Sequence, residues 1–536
     1  MFIESGKPNA RLALALNTEW LAAKLAHALW REDETPATIR DIAVEQIRET
    51  KKGVTVLYEM TLNGARLPAQ RQMYVGHLVP SDRLAEEHAS VLKKAKAQPL
   101  HGRTVVIVPE VDLILSAFPN DRKLKLISED DLRAWLADHL REVAEDLPRG
   151  SHWQVRAIKM EVLRYVPERR FTARCRVTLS NEAGVEKEIS FIAKQLTDAP
   201  KARRLYNNLR ALQSAWLGQN LPEAPYNNSP LEGGQGGVAL DLDHGARHDS
   251  RESMGSKNGI EQFDRAQNTP LTPLKGGIVE EKGALLRANP PLRIPRAFAW
   301  EEKQAVVFIE DLPGENLKQL LFEIALAPMM HKAGAALADF HRAKKRVRKR
   351  VTLKSELREN RRAIGIIAKA FPQQRASLKK LLRELRDSMW HERAPEVLLH
   401  GTYRLNHIFL LGDELALLDL DSLRLGPAAY DLANFLSSLY YLEAQERIDP
   451  AMRRNIARHF LEGYVSRCAS GIAPLAVLWF FASLLLNKQA SKYVTHFHDD
   501  REAKMLRMVE LAETTLQLCR SLPEDATCAT LWKILP

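Results

Sequence analysis

The sequence predicts an α+β chain. Between Val54 and Leu196 separate segments alternate apolar and polar residues with period two, and Met329 to Arg342 and the chain from Tyr430 to the end show a period near 3.6. Between these regions, residues 218–291 are rich in Gly, Pro, Asn and Asp and sustain neither period, which predicts a disordered insertion with no role of its own.

The elements follow in order. Val54, Val56, Tyr58, Met60 and Leu62 mark one face of a strand, Asn63-Gly64 a turn, Arg71 to Leu78 a second strand and Ser81 to Lys96 a helix. The same order returns with Phe171, Ala173, Cys175, Val177 and Leu179, a turn at 180–184, a strand from Glu188 to Leu196 and a helix from about Ala199. A constant offset of 117 lays Thr61 on Thr178, Leu62 on Leu179, Tyr74 on Phe191 and Val75 on Ile192, which suggests an old duplication. Ala305 to Leu317 reads as a buried strand ending in an acidic Pro-Gly turn. Met329 to Arg342, Glu356 to Ala370 and Ala376 to His391 read as helices.

With 536 residues, 45% apolar and 27% charged, the chain has the makeup of a multi-domain globular protein. Cys175, Cys468, Cys519 and Cys528 form no CxxC pair, which argues against a disulfide scaffold or a thiolate zinc site. A reducing compartment is expected, and Met1 to Trp20 shows no secretory pattern, so the expected location is the cytoplasm. The longest apolar run, Ile472 to Leu486, has 15 residues, short of the roughly 20 that cross a bilayer, and is expected as a core helix rather than a membrane span. The net charge is +11, and residues 342–362 hold eleven Lys or Arg against Glu356 and Glu359. That stretch predicts a solvated face; no stacking aromatics interleave the charges as a nucleic-acid groove requires, so nucleic acid is not the expected partner.

Chemistry concentrates in the polar positions between apolar runs from Val397 to Leu423. Phosphoryl transfer needs a cation near phosphates, a carboxylate for a metal and a group that orients the acceptor. Lys194 ends an apolar strand, and Asp419 and Asp421 follow Leu415–Leu418, where alternation along a strand would turn both carboxylates to one face. Arg404, in the preceding loop, could bind a phosphate or face solvent. His496 and His498, followed by Asp499 and Asp500, have metal-ligand spacing but read better as an exposed helix cap.

The stretch HGTYRLNHIFLLGDELALLDLDSLRLGPAAYDLANF, from His400 to Phe435, resembles the catalytic core of the aminoglycoside phosphotransferase and choline kinase family. The family pattern runs HGDxxxxN, then a strand into D-[FL]-[DE], then G-[DP]-x-x-x-D-[LI]-A. His400-Gly401, Asp419-Leu420-Asp421, Gly426-Pro427 and Tyr430 to Ala433 match it. VFIEDLPGENL resembles the hinge between the lobes, AGAALADFHRA and FLEGYVS resemble large-lobe helices, and LRYVPERRFTARCRV resembles the opening of the small lobe.

The resemblance implies a two-lobed protein-kinase-like fold behind an extra α+β domain. On that basis residues 1–148 are the N-terminal domain, a possible degenerate copy of the small lobe or a cap on it. Residues 149–312 are the β-rich small lobe with its insertion, and 313–536 the helical large lobe. It further implies ATP in the cleft, contacted by Lys194 and by Glu310 and Leu312 of the hinge. Mg2+ is expected on Asp419 with His407 and Asp421, and His400 and Asp431 are expected to be structural. The acceptor would be an unidentified small molecule of the sugar, amino alcohol or aminoglycoside type.

The departures fall on catalytic positions. Thr402 stands where the family has its catalytic aspartate, His407 where it has a metal-binding asparagine, and the helix after Lys194 offers no glutamate to pair with it. The sequence therefore carries two functional readings, an ATP-dependent small-molecule kinase and a pseudokinase that binds nucleotide or serves as a scaffold.

Overall fold

The computed structural model describes residues 3–4, 7–32, 38–50, 53–63, 70–99, 101–148, 152–217, 292–344, 347–389, 394–468, 471–495 and 500–536. The expected insertion at 218–291 and His496, His498 and Asp499 lie outside these residues.

The short pair β1 (Ile3–Glu4) and β2 (Lys7–Pro8) precedes α1 (Ala10–Leu16) and α2 (Thr18–Ala28). The first five-stranded sheet follows: β3 (Thr38–Thr50), β4 (Gly53–Asn63), β5 (Gln70–Leu78), then α3 (Leu84–Lys94), β6 (Val105–Val108) and β7 (Leu113–Ala117). Helix α4 (Glu129–Val143), opened by a Ser128/Asp131 capping box, leads to the second sheet. Its elements are β8 (Trp153–Val166), β9 (Arg170–Asn181), β10 (Glu186–Gln195), α5 (Ala199–Leu217), β11 (Ala297–Glu301) and β12 (Val306–Glu310).

The two sheets have one topology. Their strand orders are β3-β4-β5-β7-β6 and β8-β9-β10-β12-β11, all pairs antiparallel, with a helix after the third strand of each. The offset of 117 also carries register onto register: Val54↔Leu78, Tyr58↔Tyr74 and Thr61↔Arg71 correspond to Phe171↔Gln195, Cys175↔Phe191 and Thr178↔Glu188.

Both faces of the first sheet are covered. Val54, Val56, Tyr58, Met60 and Leu62 pack with Leu12, Leu21 and Leu25 of α1 and α2. Leu57 and Val75, on the other face, join a core shared with α4 and the second sheet. There Trp135 of α4 stacks on Phe308 at 3.7 Å between ring centroids, with Phe191 beside both. The sequence reading had assigned only one apolar face to this strand; the second is buried because the next sheet lies behind it.

The chain then becomes helical: β13 (Glu315–Asn316), α6 (Leu326–His341), α7 (Leu353–Ala370), α8 (Arg375–Asp387), β14 (Glu396–Leu399), β15 (Ile408–Leu411), β16 (Glu414–Leu417), β17 (Arg424–Pro427), α9 (Ala429–Ala444), α10 (Pro450–Arg467), α11 (Pro474–Leu484), α12 (Ser491–Thr495), α13 (Arg501–Arg520) and α14 (Leu531–Ile534). This is the expected α+β arrangement, with a β-rich small lobe and a helical large lobe. Helices α6 and α10 cross closely because Gly334 leaves room: a Cβ there would stand 2.0 Å from the Phe460 carbonyl oxygen.

The apolar run from Ile472 forms buried α11 and continues as a six-residue π-helical segment, Leu485–Ala490. Among the described residues no helix is long and apolar enough to cross a membrane. The basic stretch opens α7 behind a Thr352/Ser355 capping box, and Glu356 turns inward and is buried.

Candidate active site at the lobe junction

The loop after β14 is set by its backbone. Gly401 has φ +80°, and a Cβ on it would stand 2.3 Å from the Ser422 carbonyl oxygen, so glycine is required. The backbone N–H groups of His400 and Gly401 donate to the two carboxylate oxygens of Asp431 on α9, at 2.7 and 2.8 Å. Asp431 also receives His341 Nε2 of α6 at 3.2 Å, and His341 Nδ1 meets the Tyr464 hydroxyl of α10 at 2.9 Å. Burial alone would raise the Asp431 pKa, but the hydrogen bond and charge of His341 hold it below the usual carboxylate range. Asp431 and His400 are fully buried in this network, and the sequence reading missed His341 and Tyr464. Both sit in helices that resemblance had picked out, but only the fold brings them together.

His400 fixes Thr402. The Nε2 of His400 donates to the Leu418 carbonyl at 2.9 Å, so Nδ1 carries the lone pair and accepts from the Thr402 N–H at 3.2 Å. The Thr402 hydroxyl lies 3.3 Å from the same nitrogen. His407 turns Nδ1 to the Thr402 carbonyl at 2.9 Å, and its Nε2 accepts from Arg404 Nε at 3.2 Å.

Asp419 and Asp421 converge, but not by strand alternation. Strand β16 ends at Leu417, Asp419 takes a left-handed turn at φ 57°, and Asp421 lies in the 3-10 turn Leu420–Ser422. Asp is among the few residues that tolerate this conformation. The partner that the sequence left open for Lys194 is this pair. Its ammonium donates to Asp419 Oδ1 at 3.0 Å and to Asp421 Oδ1 at 2.7 Å. Arg170, the first residue of β9, stands 3.8 Å from Asp419 Oδ1 and 3.5 Å from Asp421 Oδ2. His407 Nε2 is 3.3 Å from Asp419 Oδ2. Burial first, and then the charge of Arg170, pull the neighbouring Arg164 down to about 9, with Arg404 adding to the effect.

These surroundings do not fit the expected metal centre. Among the described residues no group of three or more His, Cys, Asp or Glu side chains is placed to hold a metal ion. Both carboxylates of the expected set already face Lys194 and Arg170, and the His407 Nε2 lone pair is directed at Arg404. Magnesium prefers oxygen ligands, and four cations stand around these two carboxylates.

The hinge residues are placed differently. The Glu310 carboxylate accepts from Arg293 Nη2 at 2.5 Å and from the Arg296 N–H at 3.0 Å, tying it to the segment that leads into β11. Leu312 is buried. Arg164 and Arg170 were the larger omission. The doubled Arg169-Arg170 at the start of β9 was a signal in the sequence, but nothing in it placed Arg170 beside Asp421, some 250 residues away.

Residues 281–467 match the phosphotransferase enzyme family. The resemblance read from the motifs is therefore borne out over the stretch that holds His400, Thr402, His407, Asp419, Asp421 and Asp431. Lys194, Arg164 and Arg170 precede it. No curated protein matches the chain. Among solved structures, similar ones include macrolide 2'-phosphotransferase MphH from Brachybacterium faecium, at 12% identity and TM-score 0.34 over 74% of this chain and 99% of that one. Choline kinase from Cryptosporidium parvum overlaps at 9% identity and TM-score 0.37, over 68% and 90%. A choline/ethanolamine kinase family protein from Mesorhizobium loti overlaps at 11% and 0.33, over 45% and 78%. At such TM-scores these overlaps add nothing to the assignment.

Proposed function

We propose that the chain binds ATP between its lobes and transfers the terminal phosphoryl group to a hydroxyl of a small-molecule acceptor of the sugar, amino alcohol or aminoglycoside type. One observation carries this reading: Lys194 of the small lobe and Asp419 of the phosphotransferase-family segment meet at 3.0 Å where the lobes join. Lys194 is the cation for the phosphates and Thr402 the group that orients the acceptor hydroxyl. A loose phosphoryl-transfer transition state draws mainly on positioning and charge and asks little of a base. Glu310 and Leu312 border the adenine end.

A second reading, a pseudokinase that binds nucleotide without turnover, is favoured by Thr402 itself. Its side chain cannot take a proton from an acceptor, and the His400 Nδ1 lone pair beside it is already directed at the Thr402 N–H. The shared topology and register of the two sheets support reading the N-terminal domain as a degenerate copy of the small lobe. The chain's four cysteines, none joined in a disulfide, suit the cytoplasm.

Calorimetry with ATP, followed by ATP turnover against a panel of sugars, amino alcohols and aminoglycosides, tests both readings. Binding with acceptor-dependent turnover supports the kinase, and binding without turnover supports the pseudokinase. Absence of ATP binding removes both nucleotide-binding readings and leaves a scaffold.

A further inference from the structure

We propose that the cleft grips the phosphates of its ligand with protein cations alone and needs no divalent metal. This rests on the phosphate-binding part of the reading above and departs from the metal dependence that the family resemblance implies.

A metal-dependent site leaves its carboxylates available to the ion. Here Asp419 and Asp421 each face both Lys194 and Arg170, at 2.7 to 3.8 Å. Arg404 bonds His407 Nε2 at 3.2 Å, which itself stands 3.3 Å from Asp419 Oδ2, and Arg164 lies within electrostatic reach of both carboxylates, so the cluster is cationic on balance. A divalent cation entering such a cluster is repelled, while a polyphosphate is attracted. Guanidinium groups suit it further, because their paired N–H donors match two phosphate oxygens at once.

The hairpin that carries Arg170 is held in advance. At its tip Glu168 adopts φ 62° and pairs with Arg48 of the first sheet at 3.1 Å and with Lys123 at 3.2 Å. The Glu168 N–H and the Tyr165 hydroxyl both donate to Asp121 at 2.7 Å. Arg48, Lys123 and Asp121 all come from the N-terminal region, so that region positions the hairpin and lowers the ordering cost of ligand binding.

In this arrangement Asp419 and Asp421 are stand-ins for the ligand: they occupy the cations until phosphate oxygens replace them. Removing one should therefore tighten binding, whereas removing a metal ligand would weaken it.

The test uses the full chain and calorimetry with inorganic tripolyphosphate and with ATP, each in EDTA and in magnesium, with thermal melting to confirm folding. Tripolyphosphate should bind in EDTA, and magnesium should improve its affinity by no more than about threefold. Asp421→Asn should tighten the EDTA-phase binding by roughly three- to tenfold, and Arg170→Gln should weaken it by a similar factor. Binding seen only with magnesium, or weakened by Asp421→Asn, overturns the inference and leaves the nucleotide reading standing. Tripolyphosphate binding without ATP binding keeps the inference and removes the nucleotide reading. No binding of either ligand in either buffer overturns both.

Discussion

Lys194 and His77 occupy equivalent positions in the two sheets. Lys194 faces Thr172 across the β9–β10 pair, His77 faces Thr55 across β4–β5, and the offset of 117 separates both partners. Their surroundings differ. Lys194 points at carboxylates supplied by the helical lobe. His77 is buried, and Arg122, Arg48 and Lys123 oppose its protonation while Glu168 favours it. One position keeps a charged side chain and the other a neutral one.

That difference predicts a pH dependence. Burial first, and then Arg122, lower the His77 pKa from 6.5 to about 3. Below 6.5 the unfolded chain binds a proton that the folded chain refuses, so this group's contribution is full above that pH and is lost as pH falls toward 3. The slope is up to about 1.4 kcal/mol per pH unit. Glu45, raised to about 7 by burial and then Glu59, acts in the opposite direction over much of this range, so the wild-type curve mixes the two. The difference between wild type and His77→Gln in urea unfolding at pH 5 to 6.5 isolates the histidine. Parallel curves would show that His77 protonates freely in the native state.

Asp431 should be indispensable to the fold. It accepts from two backbone N–H groups of the catalytic-type loop and from His341, all buried. Asp431→Ala leaves these donors unmatched and should cost about 3–5 kcal/mol, read as a fall in the denaturant midpoint. A loss below about 1 kcal/mol would contradict the structural role.

Gly401→Ala tests the loop geometry itself. The added Cβ meets the Ser422 carbonyl at 2.3 Å in a backbone conformation that L-residues avoid. Destabilisation of at least about 2 kcal/mol is expected, together with loss of whatever ligand binding wild type displays. An unchanged melting curve would mean that the loop does not hold this turn.

Thr402→Asp tests the kinase reading from the opposite side. It supplies a carboxylate at the position where the resemblance implies a catalytic aspartate. If wild type turns over ATP slowly with an acceptor, the variant should do so at least about tenfold faster, since a positioned base contributes roughly 10²–10⁴-fold when all else is in place. Equal rates, with ATP affinity retained, would favour the pseudokinase.

Much of the fold was legible in the chain. Alternation marked β4, β5, β9 and β10, the offset of 117 anticipated their common register, and the apolar run from Ile472 became a core helix. Other elements were not recovered. Strand β3 and helices α1, α2 and α4 were not read from the sequence, although α4 carried a local signal in its Ser128/Asp131 capping box and in Leu132, Trp135 and Leu136 at helical spacing. The expected strand before Asp419 stops one residue short, at Leu417, and Asp419 turns left-handed, which brings its carboxylate beside Asp421.

For the site, sequence alone determined the residue types: a strand lysine, two carboxylates after a short strand, and a threonine and a histidine at positions the family fills otherwise. Chemistry of that kind is local, since motif spacing depends on neighbouring residues. Only the tertiary structure decided that Lys194 and Arg170 face Asp419 and Asp421, that His341 and Tyr464 secure Asp431, and that the N-terminal region holds the Arg170 hairpin. Charge balance at a site is a sum over side chains brought together from three parts of the chain, and Coulomb energies depend on distance in space rather than along the sequence.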